Sequence, residues 1–264
     1  MNAPETELPI LLRQDHDGVS TLTLNRPAQF NSLSEEMLTD LQAALDAIAA
    51  DSSVRVVVLA GAGKAFCAGH DLKQMRANHG KAYLQKLFKQ CGRVMTTIVA
   101  MPQPVIARIH GIATAAGCQL VAMCDLAVAA AGAKFAVSGV NLGLFCSTPS
   151  VALGRAMGRK QAMEMLLTGD FIDAAEAQRR GLVNRVVPLD QLDAEVKKLT
   201  DSICGKSAVA IGMGKQMFYK QLEMGLDGAY QLASETMACN MMSEDAGAGV
   251  DAFLEKRKPE WKHR

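Results

Sequence analysis

Hydrophobic positions along the first half of the chain recur in two periods, which predict strands alternating with helices. Residues 54–60 form an apolar run rich in valine and interrupted only by Arg55, which is typical of a parallel strand buried on both faces. Residues 32–35, Ser-Leu-Ser-Glu, resemble a capping box at a helix start. Apolar residues at helical spacing follow the box: Leu38, Leu41, Leu45 and Ile48. This order predicts an amphipathic helix that leads into a buried strand.

The neighbouring segments extend the same alternation. Residues 15–18, Asp-His-Asp-Gly, are a hairpin turn signal between two short strand candidates, 10–13 and 19–25. Pro102 and Pro104 end a helical pattern. The remaining predicted elements of this half are a helix over 81–100, a strand over 105–109, a helix over 113–123 and a strand over 126–130. Strands separated by helices indicate an α/β fold built on parallel pairing.

The second half has a different pattern, because helical periodicity dominates after Ser147. Asp173 and Glu176 form another capping-box pattern, and Gly181 suits the residue after a helix end. The segments predicted here are one last strand over 182–187 and helices over 189–204, 207–241 and 244–256. We therefore divide the chain into a core, 1–200, and a helical region, 201–264, within one structural unit. Such Met- and Ala-rich helices often pack on other subunits.

Composition and charge exclude several classes of partner. The 264 residues carry 28 basic and 27 acidic side chains, a formal net charge of +1. A balance this even provides no long-range attraction to nucleic acid or to an anionic membrane. No uninterrupted apolar run reaches the roughly 18 residues of a membrane-spanning helix. Residues 1–9 contain two glutamates and no basic residue, so we expect no targeting peptide and a cytoplasmic protein.

Cysteine and histidine spacing gives no metal site. Seven cysteines occur without any C-x-x-C pair, which favours buried, reduced thiols over a disulfide framework or a zinc site. The five histidines show no H-x-x-x-H spacing. We therefore expect neither a metal nor a resident cofactor.

Two glycine- and alanine-rich loops are the candidates for chemistry. Residues 64–72 and 109–120 each follow a predicted strand, at the edge of the sheet where open α/β folds bind ligands. Two backbone N–H groups near helix starts, converging on one point, would make an oxyanion hole. The alternative is a pair of tight turns whose small residues serve packing only. Neither loop has the spacing of a dinucleotide-binding or Walker A phosphate loop.

Six motifs, in order and over nearly the whole chain, resemble the enoyl-CoA hydratase/isomerase (crotonase) superfamily. They occupy residues 25–33, 65–72, 110–126, 135–143, 167–183 and 253–259. The resemblance implies a crotonase-like spiral of ββα turns with a helical C-terminal trimerisation region. It also implies an acyl-CoA ligand and homotrimers or hexamers made of two trimers.

The resemblance also implies roles for individual residues. The backbone N–H groups of His70 and Ala116 would polarise a thioester carbonyl and stabilise an enolate. The other implied contacts are Ala68, Asp71, Phe253 and Lys256 with CoA, and Ser138, Gly139 and Cys146 in the acyl pocket. On the residues alone, alternatives stay open: Lys256 as a solvated helix end, Asp71 as a cap, and Ser138 and Cys146 as packing residues.

The chain departs from the family pattern at two catalytic positions. Gln119 and Gly139 stand where hydratases of this family carry glutamates. An amide has no usable pKa and glycine has no side chain, so we expect ordinary enoyl-CoA hydration to be weak or absent. Two alternatives remain: another acyl-CoA reaction, a decarboxylation or a hydrolysis, using His70; or a non-catalytic binder of CoA esters. Lyase and isomerase chemistry in lipid metabolism is what the resemblance implies for an active enzyme.

Overall fold

The computed structural model describes residues 9–264, in which two β-sheets form the centre of the molecule. The larger sheet has the strand order β1-β2-β3-β5-β7-β10. Its strands are β1 (Leu11–His16), β2 (Val19–Leu24), β3 (Val56–Gly61), β5 (Val105–Ile109), β7 (Leu126–Ala130) and β10 (Arg185–Val187). The smaller sheet has the order β4-β6-β8-β9. Its strands are β4 (Ala65–Cys67), β6 (Ile112–Thr114), β8 (Lys134–Ala136) and β9 (Ile172–Asp173).

Eleven α-helices lie within the described residues. Those before residue 180 are α1 (Glu35–Ala49), α2 (Leu72–Ala77), α3 (Lys81–Ala100), α4 (Ala116–Met123), α5 (Ser147–Ala156), α6 (Arg159–Thr168) and α7 (Ala174–Arg179). The later ones are α8 (Leu192–Cys204), α9 (Ala208–Gln221), α10 (Leu226–Met241) and α11 (Glu244–Leu254).

Successive segments of the chain repeat one path. The chain runs through a strand of the larger sheet, a strand of the smaller sheet and then helical structure. The repeat occurs at β3 and β4, at β5 and β6, and at β7 and β8. The strands pair in parallel, β3 with β5 and β5 with β7 in one sheet, and β4 with β6 and β6 with β8 in the other. This is the ββα spiral that the resemblance implies, and the α/β prediction is confirmed.

Burial on both faces of the larger sheet explains the apolar runs in the sequence. Val57 and Leu59 of β3 face a core that includes Leu41 of α1. Val56 and Val58 alternate to the other face, where a second cluster contains Leu192 and Val196 of α8. Because both faces of the sheet are buried, these strands lack the alternation of apolar and polar residues that is typical of a half-exposed strand.

The short strands of the smaller sheet were missing from the sequence-based prediction. Three-residue strands such as β4 are too short to display a period of two. The predicted helix over 113–123 begins only at Ala116, because Ile112–Thr114 pairs with the second sheet. The predicted single helix over 207–241 is two helices, since the chain turns before Gly225, the N-cap of α10.

Of the two predicted helix caps, the structure confirms Asp173 and shows that Ser32 is wrong. Asp173 caps α7 and accepts a hydrogen bond from the Glu176 backbone. At α1 the cap is Ser34, which accepts a hydrogen bond from the Met37 backbone, and not Ser32. The Ser32 hydroxyl instead contacts Arg26 and Asp71, so it belongs to the loop network described below.

The C-terminal residues pack against the helical region. The Trp261 indole donates a hydrogen bond to the Gly205 carbonyl oxygen. The buried Asp245 carboxylate accepts hydrogen bonds from the backbone N–H groups of Lys262 and His263. These contacts join the chain end to the start of α11 and to the turn after α8. The boundary at residue 200 remains a prediction.

Two expected absences concern the described part of the chain only. Between residues 9 and 264, no helix is long and apolar enough to cross a bilayer. Over the same residues, no group of three or more His, Cys, Asp or Glu side chains is arranged to hold a metal ion. Residues 1–8, on which most of the targeting-peptide prediction depends, lie outside the described residues.

Candidate functional site

Asn31 holds the first glycine-rich loop in place. It is fully buried and left-handed, with φ of 56°. Its side-chain amide donates hydrogen bonds to the carbonyl oxygens of Ala62 and Ala65, each at 2.8 Å, while its oxygen accepts one from the Arg26 backbone at 2.9 Å. Asparagine tolerates this backbone conformation better than most residues do. The N-terminal motif of residues 25–33 therefore fixes the loop that leads to His70.

Arg26 and Asp71 fix the far end of that loop. The Arg26 guanidinium lies 3.1 Å from the Asp71 carboxylate, and both side chains are mostly buried. Asp71 also caps α2 by accepting hydrogen bonds from the backbones of Lys73 and Gln74. Burial raises the pKa of Asp71, but these hydrogen bonds and Arg26 outweigh burial and leave its pKa below the ordinary value. The interpretation of Asp71 as a cap is confirmed, and its contact with CoA stays a prediction.

The backbone around His70 points its N–H group away from the N-terminal segment. A parallel bridge pairs Leu33 with His70. Leu33 donates to the Gly69 carbonyl oxygen at 2.7 Å and accepts from the Asp71 N–H at 3.3 Å. In a parallel bridge the flanking peptide groups make the bonds, so the N–H of the central residue faces the opposite side. There it has no acceptor within residues 9–264.

Gly69 brings this segment against the start of α4. It has φ of 89°, and a Cβ atom added there would lie 2.9 Å from the Ala115 Cβ and 3.1 Å from the Ala116 nitrogen. Only glycine combines this conformation with so close an approach. The His70 and Ala116 backbones are therefore neighbours, as predicted from the two loops.

Ala116 is the first residue of α4, and its N–H lies at the positive end of that helix. Ala115, with φ of 49°, turns the chain from β6 into the helix and donates its own N–H to the Ala136 carbonyl oxygen at 2.9 Å. In the described part of the chain the Ala116 N–H donates to no protein group. The His70 and Ala116 N–H groups thus both lack a protein acceptor in the described part of the chain, and both residues line one cavity.

A cavity of about 600 Å³ lies beside these two amides. It is within the size range of small-molecule sites. Six residues predicted for the site line it: Ala68, His70, Ala116, Ser138, Gly139 and Cys146. Four predicted site residues are not part of its lining: Asp71, Gln119, Phe253 and Lys256.

Gln119 lies on α4 behind the cavity. Its side chain is 4% exposed, and its Oε1 atom has no hydrogen-bond partner. An unpaired buried amide oxygen costs free energy, so the position is poorly satisfied in the absence of a ligand or water. Gln119 could accept a hydrogen bond here but could not exchange a proton at neutral pH.

Gly139 has no room for a larger side chain. A Cβ atom added there would overlap the Leu144 carbonyl oxygen and lie 2.7 Å from the Cys146 Sγ. A glutamate at this position, which the resemblance implies for hydratases, therefore does not fit unless the chain between 139 and 146 moves.

Cys146 and Ser138 line the cavity without signs of nucleophile activation. Burial raises the pKa of the Cys146 thiol, while a hydrogen bond from the Gly139 backbone lowers it in part, and the net shift is upward. A thiol activated for attack would need a lowered pKa. Ser138 begins a short 3-10 helix, Ser138–Leu142. Both act as lining residues.

The His70 residue is half-buried, with its Nε2 atom shielded from solvent, and its imidazole is neutral. Its ring packs edge-on against Phe88, with 5.3 Å between the ring centroids, and its Nε2 atom has no hydrogen-bond partner. Burial lowers the pKa of His70 from 6.5 to about 4. At neutral pH this side chain therefore carries no charge into the cavity.

The low pKa of His70 predicts that the free energy of unfolding decreases at acidic pH. The unfolded chain binds a proton near pH 6.5 and the folded chain only near pH 4, so stability falls as the pH decreases between these values. Below the lower of these two pH values, the free energy of unfolding is about 3 kcal/mol smaller than it is above the higher one. We expect His70→Asn to flatten this part of the stability profile in urea unfolding from pH 4 to 7. His16→Asn, a change at an exposed histidine, should leave the profile of the wild type unaltered. Identical profiles for His70→Asn and wild type would contradict the burial argument.

Phe253 and Lys256 lie at the end of the helical region. Phe253, at the end of α11, is 82% exposed, and Lys256, with φ of 57°, follows that helix. Phe253 belongs to a separate apolar groove between α9 and α11. Neither residue reaches the cavity within this chain, so their contacts with CoA stay predictions.

Sequence reasoning missed much of the cavity wall. Leu72 and Met75 of α2 and Phe88 of α3 form one side of it, and residues 142–145 form another. The available signal was the apolar run Leu-Gly-Leu-Phe at 142–145, which begins three residues after Gly139. Such residues look like ordinary core positions in a sequence, and only the fold reveals that they face a cavity.

The ββα spiral defines the class of protein, and comparison with known structures confirms it as the crotonase fold. An enoyl-CoA hydratase structure from Mycobacterium smegmatis superimposes with a TM-score of 0.95 at 59% identity, over 96% of this chain and 99% of that one. The human enoyl-CoA hydratase domain-containing protein 3 superimposes with a TM-score of 0.93 at 43% identity, over 96% of this chain and all of that one.

Sequence comparison gives the family. The enoyl-CoA hydratase/isomerase family model matches residues 14–264, and the chain belongs to this family. A similar protein from Xenopus laevis, named enoyl-CoA hydratase domain-containing protein 3, mitochondrial, is 45% identical over 97% of this chain and 87% of its own length. A probable enoyl-CoA hydratase from Mycobacterium tuberculosis is 35% identical over 97% of this chain and 98% of its own. The family resemblance stated from the motifs is thereby confirmed.

Proposed function

We propose that this chain binds an acyl-CoA thioester whose carbonyl oxygen accepts hydrogen bonds from the backbone N–H groups of His70 and Ala116. The observation that carries the proposal is the pair of unpartnered amides at the edge of a 600 Å³ cavity. Family membership supports a CoA ester as the ligand.

The chemistry that this pair favours is formation of an enolate. Removal of a group or proton from the α-carbon of a thioester places negative charge on the carbonyl oxygen. Two fixed N–H donors, one of them at a helix N-terminus, stabilise that charge more than they stabilise the neutral carbonyl. They need no side chain, so the loss of both family glutamates leaves this part of the site intact.

Removing one donor tests the proposal. Ala116→Pro deletes the N–H at the first position of α4, where a helix accepts proline; the left-handed Ala115 before it adds strain to the turn, so folding is measured alongside binding. We expect the affinity for butyryl-CoA, measured by isothermal titration calorimetry, to fall about five- to tenfold, the contribution of one hydrogen bond. Arg159→Pro is the matched control, because Arg159 opens α6 and does not line the cavity. Thermal unfolding of both variants would separate lost binding from lost folding.

Each outcome of the binding measurements supports or contradicts the proposal. Arg159→Pro should bind butyryl-CoA as the wild type does. If no acyl-CoA binds to the wild-type protein, the proposal is wrong. If Ala116→Pro folds and binds with unchanged affinity, the carbonyl oxygen lies elsewhere.

A second candidate is a decarboxylation or hydrolysis of an acyl-CoA that uses the His70 side chain. It is favoured by the neutral imidazole in the cavity lining, which could exchange a proton or hold a polar group. A screen of diverse acyl-CoA thioesters for product formation tests it. Product from wild type that is lost in His70→Asn supports a role of the side chain. A complete absence of products, with binding retained, would leave the third reading, a non-catalytic binder of CoA esters.

Assembly and location are parts of the same proposal. We propose a homotrimer or a hexamer made of two trimers. It is supported by exposed apolar residues on and beside α10, including Leu226, Tyr230, Met237 and Met242. Light scattering on the purified protein would measure the state directly. We also retain the cytoplasmic location as a proposal, whereas the Xenopus relative is named as mitochondrial.

A further inference from the structure

The loop that follows Gly139 exposes three large apolar side chains at the edge of the cavity. Leu142, Leu144 and Phe145 are 62%, 52% and 46% exposed, and all three line the cavity beside the His70 and Ala116 amides. A run of exposed apolar residues in one short loop is costly in water and commonly marks a binding surface. Its position next to the proposed carbonyl site points to the acyl group as the occupant.

The wall facing this loop is also apolar. Leu72 and Met75 of α2 and Leu84 and Phe88 of α3 line it. No aspartate or glutamate belongs to the described lining, and the His70 imidazole is neutral at pH 7. The remaining ionisable groups are the Cys146 thiol, whose pKa is raised by burial, and Arg76 and His79, which are both exposed to solvent. The space between these two groups of apolar residues therefore suits a hydrocarbon chain. It provides no buried positive charge to pair with an acyl chain that carries a carboxylate.

We propose that the site selects thioesters whose linear apolar acyl chain is longer than a butyryl group, because apolar side chains from two parts of the fold line the cavity. The chain would run from the two amides between the α2–α3 wall and residues 142–145. This inference rests on the proposed function, since it assumes that the carbonyl oxygen is held at His70 and Ala116. A butyryl group would leave most of the apolar lining in contact with water.

A series of saturated CoA esters tests the inference on the wild-type protein. Each methylene transferred from water to an apolar wall increases affinity about fourfold. We expect decanoyl-CoA to bind at least about tenfold more tightly than butyryl-CoA by calorimetry, a conservative share of that gain. Succinyl-CoA, which has four carbons and a terminal carboxylate, should bind no better than butyryl-CoA. All esters are used below their micelle-forming concentrations, and mass spectrometry confirms that they remain intact.

Substitutions in the loop show where the chain lies. Leu142→Ser and Leu144→Ser should each lower the ratio of decanoyl-CoA affinity to butyryl-CoA affinity about fivefold. Leu189→Ser is the matched control, because Leu189 is similarly exposed and lies outside the cavity lining. It should change neither affinity.

The outcomes separate this inference from the proposed function. If neither butyryl- nor decanoyl-CoA binds, the proposed function itself is wrong. If both bind with equal affinity, or if succinyl-CoA binds more tightly than decanoyl-CoA, the chain-length inference is overturned and the carbonyl site stands. If Leu142→Ser and Leu144→Ser change the oligomeric state and leave the chain-length dependence intact, a second copy of this chain covers the loop, and the acyl path is wrong.

Discussion

Crotonyl-CoA is expected to be hydrated at least about 10⁴-fold more slowly by this protein than by an enzyme of ordinary turnover, about 10 per second. Hydration requires a base to activate water and an acid to protonate the α-carbon, and each such group contributes about 10²–10⁴-fold. At the two positions where the family resemblance implies the glutamates of hydratases, this chain has Gln119 and Gly139. The oxyanion donors alone stabilise the enolate but move no proton.

Loss of absorbance of the conjugated thioester measures this rate, with an active enoyl-CoA hydratase assayed alongside as the positive control. Turnover near 10 per second would refute our interpretation of both positions. Gln119→Glu should not restore activity, because the second carboxylate is still missing. Adding Gly139→Glu should not restore it either, since a side chain at 139 overlaps the Leu144 carbonyl oxygen. Recovery in the double variant would show that residues 139–146 move freely.

The parts of this site that depend on backbone were predictable from the sequence. Glycine and alanine at 69 and 116, after apolar strands and before helix starts, indicate amides that a ligand can approach. The structure packs Gly69 against Ala115 and Ala116 and puts His70 and Ala116 in the lining of one cavity. The sequence also shows that carboxylates are absent from positions 119 and 139, and an amide or a glycine cannot replace a carboxylate chemically.

What could not be predicted depends on where side chains point. The sequence leaves the His70 ring free to face solvent, whereas it packs against Phe88 with its Nε2 buried. Crowding at Gly139 arises from the Leu144 backbone, whose path no local pattern specifies. The three-residue strands of the second sheet carry too few residues for a period and are stabilised by their neighbours.

A buried ion pair joins the helical region to the core and was also hidden from the sequence. Lys215 of α9 lies 2.7 Å from the Asp125 carboxylate and donates to the carbonyl oxygens of Ile98 at 2.7 Å and Gln103 at 2.8 Å. Asp125 in turn accepts the Val105 N–H at the start of β5. The Lys215 side chain is 6% exposed, and burial lowers its pKa more than Asp125 raises it. All three acceptors of this one ammonium group belong to the core, 90 or more residues away in sequence.

Lys215→Met is therefore expected to lower the free energy of unfolding by about 3–5 kcal/mol, because it leaves a buried carboxylate without its counter-ion. Lys197→Met is the matched control, since the exposed pair of Lys197 with Asp201 should contribute less than about 1 kcal/mol. Adding Asp125→Asn to Lys215→Met should recover part of the loss, because a neutral amide can still accept the Val105 N–H. Urea unfolding at one protein concentration measures all four proteins, which keeps any contribution from subunit association constant. Equal small losses for Lys215→Met and Lys197→Met would mean that the helical region is attached mainly by apolar packing.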